Sequence, residues 1–135
     1  MYQNILVPIS LDGDRDVARS VEVAQALKSD GGHITFLHVI EHLPQYTNDL
    51  LPEDHLERVK TVASEKLRAL MNGVMNTRIV IVEGHAGRGI LDYAASHDVD
   101  CIVIANHQPG LQDYLLGSTA ARVVRHAHSA VHVIR

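Results

Sequence analysis

Short apolar stretches rich in β-branched residues recur along this chain, at residues 4–9, 33–40, 78–83, 101–105 and 130–135, with helix-like patterns between them. A strand that reads as a near-continuous apolar run is buried on both faces, and regular alternation with helices makes each connection a crossover. The pattern predicts an α/β fold: a doubly wound, five-stranded parallel sheet covered by helices on both faces.

The intervening segments support this. Val17, Val21, Ala24 and Leu27 share one face of a first helix, which Asp30-Gly31-Gly32 is expected to stop. Residues 41–52 are polar and proline-bounded, too long for a tight turn, and read as a surface loop or lid. The longest helix is predicted from about Glu53 to Met71, with Leu56, Val59, Ala63, Leu67 and Leu70 as its buried stripe. A glycine-rich turn at 84–89 precedes a helix at 90–96. The last helix runs from Ser118 to about Ala127, with Ala120, Val123, Val124 and Ala127 inward. A chain of 135 residues supplies one core, so residues 1–135 are read as a single domain.

Composition narrows the function. Interspersed charges summing to −4 give no basic surface for nucleic acid. The single cysteine, Cys101, rules out an internal disulfide framework and a cysteine-rich zinc site. No apolar run approaches the roughly 20 residues of a membrane span, and the amino terminus lacks the character of a signal peptide, so the expectation is a cytoplasmic protein.

A doubly wound sheet takes ligands at the carboxyl ends of its strands, where the strand order reverses. With the first strand central, the second and third on one side and the fourth and fifth on the other, that crevice lies between strands one and four. Pro8, Ile9 and Ser10 then face Ile104, Ala105 and Asn106. The loop carrying His107 and Gln108 leads to Gly117-Ser118-Thr119, where a helix begins. Small residues there leave backbone N–H groups bare, and a helix N-terminus favours an anion such as phosphate.

Other chemistries are less well served. Gly84, Gly87 and Gly89 follow a strand, but their spacing reverses the dinucleotide fingerprint, and they read as backbone freedom at a turn. There is no Walker-type phosphate loop and no G-x-S-x-G elbow. Among the ten histidines, His126, His128 and His132, or His38 and His42, are the candidates for metal ligands. The first two of these stand two apart at a helix end and point different ways, and the other pair straddles a strand end, so no metal site is assigned. Cys101, inside an apolar strand, reads as a small core residue.

Taken whole, the chain resembles the universal stress protein family. Ile5-Leu6-Val7-Pro8-Ile9 is similar to the family's opening strand, Phe36 to Ile40 to its second and Val82-Glu83-Gly84 to its third. Leu115-Leu116-Gly117-Ser118-Thr119-Ala120 and Ser129 to Arg135 are the most specific matches. The resemblance implies a Rossmann-like sheet of order 3-2-1-4-5, an ATP-binding and a non-binding branch, and dimers through the last strand. Against the ATP-binding pattern, Ala105 and Gln108 stand at the two leading glycine positions, Gly117-Ser118 keeps the final pair, and the spacer is one residue shorter. Ser10 replaces the acidic residue the family often carries two places after the proline. The altered loop resembles the short F and G type subgroup, in which nucleotide binding is expected.

The resemblance thus implies ATP or AMP as ligand. Val39 and Ile9 line the adenine slot, and backbone groups near Pro8 and Val39 read its edge. Asn106 and Gln108 meet ribose or the α-phosphate, Gly117, Ser118 and Thr119 cradle the outer phosphates, and Arg88 is an outer-phosphate contact. Magnesium would travel with the nucleotide. The partners expected are an adenine nucleotide, a second copy docked along residues 130–135 with higher oligomers open, and a signalling partner of unknown kind. Two alternatives stand beside this: a dimeric interaction protein without nucleotide, and a slow ATP hydrolase or phosphotransferase, for which no catalytic residue is assigned.

Overall fold

The computed structural model describes residues 1–11, 17–41, 50–106 and 116–135. Along the chain come β1 (Tyr2–Pro8), α1 (Val17–Leu27), β2 (Lys28–Ile40), α2 (His55–Leu70), β3 (Thr77–Glu83), α3 (Ala86–Ser96), β4 (Cys101–Ala105), α4 (Ser118–His126) and β5 (Ala130–Ile134). The strands form one parallel sheet in the order β3-β2-β1-β4-β5, as the resemblance implies.

Strand alternation divides the core into two layers. Ile5, Val7, Phe36 and Val103 pack beneath α1 and α2, through Val17, Ala24 and Leu67. Leu6, Leu37, Ile102 and Ile104 pack beneath α3 and α4, through Ile90, Tyr93, Ala120 and Val123. Each such fully buried large side chain stabilises the fold by roughly 1.5–3 kcal/mol relative to exposure. Among the described residues, no helix is long and apolar enough to cross a membrane.

Several boundaries differ from expectation. β1 starts at Tyr2, and α1 runs straight into β2 at Lys28 rather than ending at a polar stop. Tyr2 pairs with Lys28 and Asn4 with His33, and a register shift between them absorbs the extra polar residues. In α2 only the middle of the stripe meets the sheet: Ala63 and Leu67 are buried, but Leu56 and Leu70, at the helix ends, are 36% and 38% exposed. Val124 is exposed rather than inward, because it lies about 100° round α4 from its buried neighbour Val123.

The amino-terminal edge of the sheet is closed by side chains. The Asp100 carboxylate accepts hydrogen bonds from the backbone N–H groups of Gln3 at 2.9 Å and Asn4 at 3.0 Å. The Asn4 amide in turn donates to the carbonyls of His97 and Asp98, at 2.6 and 3.2 Å. These bonds hold β1 to the approach of β4, so that the two strands part only toward their carboxyl ends.

Candidate functional site

β1 and β4 pair through Ile5 with Cys101 and Leu6 with Ile102, and then diverge. Past that point β1 leans on β2 instead: the Ile9 N–H donates to the Leu37 carbonyl at 2.8 Å. β4 leans on β5, with the Asn106 N–H donating to the Ile134 carbonyl at 2.7 Å. The strands part at the switch point, and a cleft of about 510 Å³ opens over the end of the sheet. This lies within the usual size of a small-molecule site.

The cleft reaches both faces. Pro8, Ile9 and Ser10 line one wall and Ile104 and Ala105 the opposite one, while Val39 lies on the β2 side. Gly117, Ser118 and Thr119 close the end nearest α4. Of the residues expected at the site, these line one continuous surface. Asn106 is not among the lining residues. Arg88, on α3, is exposed and also outside the lining; its backbone N–H donates to His85 Nδ1 at 3.4 Å. His107 and Gln108 fall outside the described residues.

Asn106 has work within the fold. Its Oδ1 accepts from the Gly117 N–H at 2.7 Å, which joins the end of β4 to the start of α4. Gly117 is the N-cap residue and buried, and its carbonyl accepts the first helical bond, from Ala121 at 2.8 Å. With no side chain on Gly117, no side-chain cap serves the first turn of α4. The N–H groups of Ser118, Thr119 and Ala120 therefore have no intrahelical acceptor. No acidic residue occupies that turn, whereas Arg125 and His126 sit in the last, so no side chain of the helix's own first turn offsets its partial positive charge.

Sequence reasoning passed over several lining residues. Val17 and Ser20 of α1, Val59 of α2 and Ala86 at the start of α3 all reach the cleft. His38 and Glu41 do so from the end of β2. Among the described lining residues these two are the titratable side chains, and no lysine or arginine joins them. A usable signal was present: a histidine at the carboxyl end of a strand next to the switch point is placed to meet a ligand there.

The glycine segment is also corrected. α3 begins at Ala86, so Gly87 and Gly89 lie inside the helix and only Gly84, with φ of 135°, serves the turn. The two helical glycines permit close packing. A Cβ on Gly87 would come 2.7 Å from Arg122 Cδ of α4, and one on Gly89 would come 3.1 Å from Val39 Cγ2 in the cleft wall. Among the described residues, no group of three or more His, Cys, Asp or Glu side chains is placed to hold a metal ion.

Comparison with known proteins accords with the site's topology. The model of the universal stress protein family matches residues 1–135. The chain belongs to the universal stress protein family. Universal stress protein G of Escherichia coli O157:H7 is 28% identical over 145 residues, covering the whole of both chains. Among solved structures, hypothetical protein MJ0577 superposes with a TM-score of 0.83 at 22% identity, over 99% of this chain and 96% of that one. A universal stress protein in complex with cAMP has a TM-score of 0.65 at 20% identity, over 99% and 97%. One from Archaeoglobus fulgidus in complex with dAMP has 0.66 at 19%, over 99% and 98%. These structures share the fold, and this chain's crevice opens where a universal stress protein sheet reverses its strand order.

Proposed function

We propose that this protein binds an adenine nucleotide, ATP or AMP, in the cleft between β1 and β4, and acts as a cytoplasmic stress-response or regulatory module. One observation carries the reading: an uncapped helix N-terminus and an apolar slot between Pro8, Ile9 and Val39 open into the same cleft. The first suits phosphate and the second a flat base. Family relatives in complex with cAMP and with dAMP support it. The residues present fit a nucleotide whose charge is met by backbone N–H groups, with a divalent ion such as magnesium accompanying the longer phosphate chain. Asn106, by contrast, serves as the clamp on Gly117 in this reading, and Arg88 is left in solvent.

The reading is of a binding module rather than a catalyst, with a second copy docking along the unpaired edge of β5. Titration calorimetry with AMP and ATP tests the nucleotide, using Gly117→Asp as the comparison. An aspartate is a good N-cap, so the variant keeps its helix, but its charge sits where the phosphate would. Binding to the wild type that falls at least tenfold in the variant supports the reading. Equal heats for the two proteins, or none up to millimolar nucleotide, would sink it. Sedimentation at micromolar concentration tests the dimer, and a monomer mass would refute it.

A further inference from the structure

His38 lies at the carboxyl end of β2, half-buried, and is one of the residues that line the cleft. Its Nδ1 is 2.8 Å from the carbonyl oxygen of Ile9. A carbonyl can only accept, so Nδ1 must carry the proton, and the neutral ring is thereby fixed in one tautomer. Nε2 is then a bare acceptor, and among the described residues no hydrogen bond reaches it. The same bond fixes the ring's orientation, because Ile9 is itself held to β2 through its N–H and the Leu37 carbonyl. The result is an oriented acceptor in the cleft wall, beside the Glu41 carboxylate and otherwise among apolar side chains, hydroxyls and the N–H groups of α4.

We infer that His38 is a specificity-determining residue of the cleft, accepting through Nε2 a hydrogen bond from an O–H or N–H donor on the nucleoside half of the ligand. The inference rests on the nucleotide reading. It divides the cleft by chemistry: the N–H groups of α4 take the acceptor end of the ligand, and His38 takes a donor. Three groups of AMP qualify, the 2′-hydroxyl, the 3′-hydroxyl and the exocyclic amine.

The test compares AMP with 2′-deoxy-AMP, 3′-deoxy-AMP and purine riboside monophosphate, each lacking one donor, on wild type and on His38→Asn. The asparagine amide nitrogen falls near the position of Nδ1 and can still donate to Ile9, but nothing replaces Nε2. Wild type should bind one of the three analogues roughly five- to tenfold more weakly than AMP, as fits one lost neutral hydrogen bond. That preference should vanish in His38→Asn. If it persists in the variant, or if all three analogues bind wild type as well as AMP does, His38 is only a strand-tying residue. Failure of wild type to bind AMP at all overturns the nucleotide reading, and this inference with it.

Should His38→Asn not fold, the ring nitrogens of His38 are followed in wild type by ¹⁵N NMR. The Nε2 resonance should move on adding AMP and move less with the one analogue that lacks the bonded donor. An Nε2 resonance that responds alike to AMP and to all three analogues overturns the inference.

Discussion

Asn106 Oδ1 accepts a hydrogen bond from the Gly117 N–H at 2.7 Å, so the last residue before the long connection is tied directly to the N-cap of α4. Gly117 is buried, and removing the acceptor leaves its N–H unpaired. Asn106→Ala should destabilise the protein by about 1–3 kcal/mol, read from urea unfolding. It should also weaken the nucleotide binding proposed for the cleft, since the first turn of α4 is then less firmly placed. Unchanged stability would mean that the clamp holds nothing.

Gly84 and Gly87 should respond oppositely to alanine. Gly84 has φ of 135° and nothing near its would-be Cβ, so Gly84→Ala is strained by the backbone alone and should cost about 1 kcal/mol or more. Gly87 sits in α3, and the close atom is the Cδ of Arg122, an exposed and flexible side chain that can move aside. Gly87→Ala should be neutral or stabilising by up to about 1 kcal/mol, because alanine is the better helix former. Thermal unfolding of the two variants side by side checks the sign of each.

Burial pushes the Cys101 thiol from its ordinary 9.0 up to about 11, with the Asp100 charge adding to the effect. In the folded protein the thiol stays protonated while the unfolded chain loses its proton first. The stability this group contributes is therefore complete below pH 9 and lost as pH rises from 9 toward about 11. Cys101→Ala should show a shallower alkaline loss of stability. A thiol reagent at pH 8 should label the native protein only as fast as it unfolds, and label it at once in urea.

Much of this architecture was legible because its signals are redundant. Ile5-Leu6-Val7 or Ile102-Val103-Ile104 cannot be satisfied except in a strand buried on both sides, and the helical stripes leave only crossovers between them. The boundaries were less legible where one residue type serves two purposes. Gly87 and Gly89 look like turn residues until α4 and Val39 are seen pressing against them. Asp30-Gly31-Gly32 looks like a stop until β2 is seen to run through it from Lys28, which pairs with Tyr2. At the site, Pro8, Ala105 and Ser118 could be placed from topology. The fold's own use of the Asn106 amide could not, because it depends on the distance between two chain ends that sequence spacing does not give.

The closure of β1 and β4 at one end and their parting at the other has a mechanical consequence. Two half-sheets, β3-β2-β1 and β4-β5, meet along a ladder as short as Ile5 with Cys101 and Leu6 with Ile102. It is the shortest ladder in the sheet, and the cleft straddles its open end. A molecule seated there touches Pro8 and Ile9 from one half and Ala105 and Ser118 from the other. It would act as a staple across this ladder, raising the melting temperature with concentration as linkage requires and slowing amide exchange first in the bonds between β1 and β4.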